Sequence, residues 1–161
     1  MQFKQISISI LIDKKSFEEI YTAQNILKNE LGIQFQMNNQ VCPHVNLFSG
    51  KVKKVDFLLD IKKIEFPKKI VLKSCGLALF LKKSPVLFVR YENCKYFSLI
   101  RKELSRLDFW VEKDKFAKKK FWLPKTTIAL NDLKYNNLSK TIKTLNEINF
   151  EKTIYCNSLL I

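Results

Sequence analysis

Pro43-His44-Val45-Asn46-Leu47 is echoed in the second half of the chain by Pro124-Lys125-Thr126-Thr127-Ile128. Each segment consists of a proline, a residue whose side chain carries nitrogen, an apolar or β-branched residue, a small polar residue and an apolar residue. Because alternate residues of a strand point to the same side, the second and fourth residues of each segment should share one face. The repetition predicts two halves of one domain, each of which contributes a strand to a common cleft.

The composition is that of a chain with one sizeable core and a strongly basic surface. Of its 161 residues 47% are hydrophobic, including 13 Phe and 2 Trp, which is enough apolar material for one domain. The 29 basic residues outnumber the 15 acidic ones, for a formal net charge of +14. This excess favours anionic partners such as nucleotides or RNA. The alternative is that lysines solvate an ordinary surface in a chain rich in Lys and Asn.

The cysteines form a poor set of metal ligands. There are four, Cys42, Cys75, Cys94 and Cys156, without CxxC spacing and with His44 as the one histidine. We therefore expect scattered reduced thiols and no bound metal, with pairing between cysteines as the alternative that the sequence leaves open. No stretch approaches the roughly 18 apolar residues of a membrane span, and no charged segment followed by an apolar run opens the chain. The sequence predicts a cytoplasmic protein without a membrane partner.

Strand and helix patterns alternate along the chain. Ile6, Ile8, Ile10 and Ile12 follow the period of a half-buried strand. Ser16-Phe17-Glu18-Glu19 has the form of a capping box for a helix that Gly32 can end. The mixture of elements predicts the α+β class. Further strands are predicted over 44–48, 70–81, 86–91, 125–130 and 152–160, further helices over 52–64, 97–107 and 138–148, and an exposed Lys-rich loop over 113–120.

The two repeated segments resemble the paired His-x-Thr or His-x-Ser motifs of the 2H phosphoesterase superfamily. That group contains the bacterial 2'-5' RNA ligase-like proteins and 2',3'-cyclic phosphodiesterases. The resemblance covers most of the chain and includes Ser74-Cys75-Gly76-Leu77-Ala78-Leu79-Phe80. It implies a bilobal, duplicated fold in which two antiparallel sheets flank a central cleft and helices pack outside. It also implies a single domain over residues 1–161, with motif one near 44–46 and motif two near 125–127.

The resemblance implies opening or hydrolysis of a phosphodiester beside a ribose 2' or 3' oxygen. One imidazole would remove a proton from the attacking oxygen, and the other would protonate the leaving oxygen. The hydroxyls two residues further along would donate hydrogen bonds to the phosphate oxygens. The chemistry needs neither a metal nor a cofactor. The implied partner is a nucleotide, a cyclic oligonucleotide or RNA.

The chain departs from this pattern at Asn46 and Lys125. Asn46 stands in the place of the first hydroxyl, and its amide can still donate to a phosphate oxygen. Lys125 stands in the place of the second histidine, and an ammonium with a reference pKa of about 10.4 is a poor base. Burial next to other cations would lower that pKa, whereas a bound anion would raise it. As a fixed positive charge, lysine binds phosphate well, so we expect the change to reduce turnover more than binding.

The predicted site combines both segments. His44 and Lys125 are the candidate catalytic residues, and Asn46 and Thr127 the candidate phosphate ligands. Trp122, with Phe121 before it, is a candidate for stacking a base, with ordinary packing as the alternative. Lys118-Lys119-Lys120 is either a track for phosphates or a solvated loop.

Three functions follow from these residues. The first is an atypical phosphodiesterase that acts on 2',3'-cyclic or 2'-5'-linked phosphodiesters with one acid–base group. The second is an inactive binding protein that sequesters a cyclic or 2'-5' oligonucleotide. The third is a general RNA-binding protein that relies on its net charge.

Overall fold

Strands and helices alternate in the computed structural model, which describes residues 3–38, 42–53, 57–67, 69–118, 120 and 122–161. The strands are β1 (Phe3–Ile12), β2 (His44–Lys53), β3 (Ile70–Phe80), β4 (Val86–Tyr91), β5 (Trp110–Lys113), β6 (Lys125–Ala129) and β7 (Thr153–Leu160). The helices are α1 (Glu18–Leu31), α2 (Phe35–Asn38), α3 (Phe57–Lys62), α4 (Lys95–Arg106) and α5 (Leu138–Leu145). None of the described helices is long and apolar enough to cross a membrane.

The described strands are linked in one sheet of seven, in the order β5-β2-β1-β7-β3-β4-β6. Every neighbouring pair is antiparallel. The predicted α+β class is therefore confirmed. The finer prediction, a duplicated bilobal fold with two sheets flanking a cleft, stays a prediction, because hydrogen bonds join these strands in one continuous order.

Strand β3 changes its pairing partner between Lys73 and Ser74, and an irregularity between Ser74 and Leu77 follows. Ile70–Lys73 pair with β7, and from Ser74 onward β3 pairs with β4. Gly76 has φ +81°, a conformation that glycine adopts without a steric penalty. Irregularities of this kind bend a strand and increase the twist of a sheet. Although β6 ends the strand order, it returns to contact β2, the second strand from the other end.

The core is built from the apolar faces that the periodicity predicts. The alternating isoleucines of β1 are all buried, and Leu27 of α1 and Leu104 of α4 are fully enclosed in the same cluster. Complete burial of a leucine side chain contributes about 1.5–3 kcal/mol to the free energy of unfolding. Helix α1 contacts α5 and β6, and α4 contacts β2. Both strands of the repeated motif are thus supported by a helix.

The predicted capping box at the start of α1 is wrong. The residue before the helix is Phe17, and no side chain caps this end. Ser16 Oγ instead accepts a hydrogen bond from the backbone N–H of Tyr155 at 3.1 Å. Glu19 forms an ion pair with Lys152. Both side chains therefore contact β7 or Lys152, the residue before it, and neither caps the helix. At the other end, Gly32 terminates the helix at φ 67°, as predicted.

The largest remaining differences from the predicted boundaries lie in two segments. The helix predicted over 52–64 covers only Phe57–Lys62, since β2 continues to Lys53. The segment predicted as an exposed Lys-rich loop over 113–120 begins with the last residue of β5, an unpredicted strand that pairs with β2. A Cβ on Gly50 of β2 would overlap the carbonyl oxygen of Glu112, so glycine is required for this close pairing. The long-range partner, rather than the local sequence, makes this segment a strand.

Candidate functional site

Side chains join the two motif strands, which are not neighbours in the strand order. Thr126 Oγ1 donates a hydrogen bond to the carbonyl oxygen of His44 at 3.1 Å and accepts one from Tyr91 Oη at 2.9 Å. Trp122 Nε1 donates to the carbonyl oxygen of Asn46 at 2.9 Å. These bonds connect β4, β6 and β2. They fix the start of β2 against the start of β6.

One cavity of about 260 Å³ lies where the motif strands meet. Five of the residues predicted for the site from the sequence line this cavity. The structure therefore brings the imidazole of the first segment and the ammonium of the second segment to one place. The five are His44, Asn46, Trp122, Lys125 and Thr127.

His44 has a defined tautomer. Its Nδ1 donates a hydrogen bond to the carbonyl oxygen of Cys42 at 2.8 Å. Because a carbonyl oxygen only accepts, Nδ1 keeps its proton and Nε2 carries the lone pair of the neutral ring. His44 is half-buried, so the ring is held and still reachable. The arrangement suits proton transfer through Nε2.

Lys125 occupies a desolvated position. Its Nζ donates to Thr127 Oγ1 at 3.2 Å and lies 5.9 and 5.6 Å from the ring centroids of Phe80 and Phe88. Burial, followed by the charge of Lys82, lowers the pKa of Lys125 below its ordinary value. An ammonium in this position lacks part of its hydration. It would therefore gain from the approach of an anion.

The polar lining of the cavity favours an anion. None of the described residues that line it is acidic, and Lys82 adds a second ammonium. Asn46 Nδ2 donates to Ser7 Oγ on β1, and an amide nitrogen has a second hydrogen for a ligand. Cationic and neutral donors without a competing carboxylate are the groups that bind phosphate in proteins.

Ser49 and Lys82 line the cavity but were missed from the sequence. In the β1–β2 register Phe48 pairs with Ile8 and Asn46 with Ser9, so β2 has one extra residue at this point. This bulge buries two consecutive apolar residues and turns Ser49 to the cavity side. The adjacent apolar pair after Asn46 is the one sequence signal of the bulge. Lys82 lies two residues after the end of β3 and had no signal beyond its charge.

Trp122 both packs and lines the cavity. The guanidinium carbon of Arg101 lies 4.1 Å from the indole centroid, and Phe97 meets the ring edge-on at 5.6 Å. Arg101 is only 8% exposed and donates to the carbonyl oxygens of Leu47 and Ala117. Burial lowers the pKa of Arg101 to about 10. No pattern in the sequence indicates that this arginine supports both the bulge and the indole.

The remaining predicted residues lie apart from the cavity or outside the described residues. Lys118 and Lys120 are exposed and are not among the residues that line it. Lys119 and Phe121 lie outside the described residues. In the described part of the chain, no group of three or more His, Cys, Asp or Glu side chains is placed to hold a metal ion. All four cysteines are free.

Thr126→Val is expected to lower the free energy of unfolding by about 1–3 kcal/mol, because it leaves buried polar groups of His44 and Tyr91 without their partner. Urea denaturation would measure this loss. Thr127→Val is the matched control, since its half-buried hydroxyl faces the cavity, and it should cost less than about 1 kcal/mol. Equal losses in the two variants would show that Thr126 does not join the strands.

No model of a known protein family matches the chain, and no curated protein matches it either. The function of the cavity is therefore inferred from its residues and their geometry.

Proposed function

We propose that this protein binds a nucleotide phosphodiester in the cavity between β2 and β6 and acts on it as a 2H-type phosphodiesterase with a single imidazole. The observation that carries the proposal is the convergence of His44 and Lys125, together with Asn46 and Thr127, on one cavity. The two strands come from opposite halves of the chain, and each contributes its second and fourth motif residues.

In this mechanism His44 Nε2 takes the proton of the attacking oxygen. The new bond forms between that oxygen and phosphorus, and the bond from phosphorus to the leaving ribose oxygen breaks. Lys125 stabilises the charge on the phosphate, and Asn46 and Thr127 donate hydrogen bonds to its oxygens. The leaving oxygen takes its proton from water. A missing acid–base group slows such reactions by about 10²–10⁴-fold, so turnover is slow.

The apolar walls of the cavity suit a nucleoside. Trp122, Phe80, Val86 and Leu123 line it beside the polar groups. A mainly apolar cavity with a few polar groups is the usual form of a small-molecule site. The indole face opposite Arg101 would stack a base. A cytoplasmic location belongs to the same proposal, because free thiols are typical of a reducing compartment and all four cysteines are free.

The bilobal architecture belongs to the same proposal. Two observations support it: β3 changes partner from β7 to β4 after Lys73, close to the irregularity at Gly76, and β2 contacts β6. A division at this point would place one motif strand in each lobe. The cavity would then be the central cleft.

Capture without cleavage is the second candidate function. It is favoured by Lys125 and Lys82, because two ammonium groups hold a phosphate without supplying the second imidazole that efficient cleavage needs. General RNA binding would rest on the net charge alone. A cyclic or 2'-5'-linked oligonucleotide is the ligand that the capture function predicts.

Incubation of the pure protein with 2',3'-cyclic nucleotides and with linear and cyclic oligoadenylates tests these functions. Chromatography should show slow formation of the opened product if the protein is a phosphodiesterase. A tightly bound but intact ligand would support capture. Equal affinity for every polyanion, falling steeply with salt, would contradict both and support general RNA binding.

Lys125→Met is expected to raise the free energy of unfolding by about 0.5–2 kcal/mol at neutral pH and to abolish anion binding. The substitution removes an ammonium that is desolvated by burial and repelled by Lys82. Thermal denaturation with and without inorganic phosphate would measure both effects. Lys83→Met, at an exposed neighbour outside the cavity lining, should change stability by less than about 0.5 kcal/mol and keep the stabilisation by phosphate.

The stability advantage of Lys125→Met should shrink at alkaline pH. With a lowered pKa, the folded wild type binds fewer protons than the unfolded chain between that pKa and the ordinary value of 10.5. The stability of the wild type therefore rises with pH, relative to the variant, within this window. An advantage that is constant from neutral to alkaline pH would contradict the desolvated position of Lys125.

A further inference from the structure

A second cavity, of about 230 Å³, lies beside the first. Its own walls include Phe35 and Gln36 of α2, together with Cys42 and Pro43. In contrast to the first cavity, none of the described residues that line it is a lysine or an arginine. The second cavity is therefore suited to an uncharged, partly apolar group.

The two cavities share a boundary. His44, Thr127 and Leu130 line both of them. Each cavity alone is smaller than the roughly 300–1,000 Å³ of ordinary ligand sites, whereas the two together fall within that range. His44 and Thr127 thus lie between two cavities of similar size.

The wall formed by α2 is held by the chain that follows β6. One carboxylate oxygen of Asp132 accepts hydrogen bonds from the backbone N–H groups of Gln34 and Phe35 at 2.7 and 2.6 Å. This anchor connects the wall of the second cavity to the loop after the second motif strand. Phe35 is half-buried and Gln36 is 9% exposed, so both side chains are largely in place before a ligand arrives.

We infer that the second cavity receives the second nucleoside of a dinucleotide unit, an inference that rests on the proposed function. The phosphodiester would lie at the shared boundary, beside His44 and Thr127, with one nucleoside on each side. The Phe35 ring offers a surface for base stacking, and the Gln36 amide offers both a donor and an acceptor to a base edge. The substrate class is therefore a phosphodiester that links two nucleosides, rather than a mononucleotide.

Binding measurements on two sizes of ligand test this inference. The probes are adenosine 3'-monophosphate and ApA in both 3'-5' and 2'-5' linkage, with the free ribose hydroxyl beside the phosphodiester methylated to prevent internal attack. Isothermal titration should show that at least one dinucleotide binds about 5- to 150-fold more tightly than the mononucleotide, the gain expected from one stacked base. Phe35→Ala should remove this gain and leave the affinity for the mononucleotide unchanged.

A second variant keeps the test valid if Phe35→Ala does not fold. Cys42→Phe places a large side chain at an exposed position that lines only the second cavity, and it should also remove the gain. Cys75→Phe, at an exposed cysteine that lines neither cavity, is the matched control and should keep the gain. Equal affinity of the wild type for all probes, or an equal loss of affinity for both ligand sizes in the variants, would overturn this inference but not the proposed function. No binding of any probe would overturn the proposed function as well.

Discussion

Lys125→His is expected to raise the rate of phosphodiester cleavage by about 10²–10⁴-fold at near-neutral pH. The substitution places an imidazole in the cavity on the opposite motif strand from His44. An imidazole with a pKa of about 6.5 can protonate the leaving oxygen, whereas an ammonium with a higher pKa gives up its proton less readily. Initial rates with a linear oligoadenylate, followed by chromatography, measure the change.

The control for this gain is a histidine elsewhere in the same cavity. Lys82 lines the cavity from the turn after β3 rather than from a motif strand, so Lys82→His should give no comparable increase. The pH dependence provides a second readout. The rate of the Lys125→His variant should fall on both sides of its optimum, since two groups must hold opposite protonation states. No increase in rate would contradict the assignment of position 125 to proton transfer.

His44→Gln is expected to lower the cleavage rate by about 10²–10⁴-fold and to change the affinity for an intact ligand much less. Glutamine can donate and accept hydrogen bonds but cannot transfer a proton at this pH. The side chain of His44 is half-buried and its one described hydrogen bond is local, so the fold should persist. Single-turnover rates and ligand titration separate the two effects.

The same change in the Lys125→His background tests whether the two residues act as a pair. Groups that act as a unit show non-additive losses, so the double variant should fall to about the rate of His44→Gln alone. Unchanged turnover in the His44→Gln protein would remove His44 from the mechanism. Unchanged turnover together with tight binding would leave capture by the cationic groups as the function.

Local periodicity predicted most of the elements. The alternating isoleucines of β1, the helical spacing of α4 and the glycine at the end of α1 each depend on neighbours along the chain. The faces of the two motif strands are also set locally, because residues i and i+2 of a strand point to the same side in any fold. For this reason the five candidate residues that line the cavity could be selected from the amino-acid sequence.

Features that depend on distant partners were missed. Ser49 faces the cavity because of a bulge whose position is set by the pairing of β2 with β1. Strand β5 exists because β2 offers an edge beside Gly50. Ser16 has the local pattern of a helix cap, but it bonds to Tyr155, which is far away in the sequence. In each case a long-range contact outweighs a local preference.

Neighbours along the chain determine which residue types stand on the two motif strands and which way each strand presents them, so the sequence was sufficient to identify both faces. Long-range packing determined that β6 returns to β2, that Lys125 is desolvated beside Lys82, and that a second cavity adjoins His44. The contact between β6 and β2, the desolvation of Lys125 and the volume of the second cavity all depend on groups that are distant in the chain, so no local pattern could predict them.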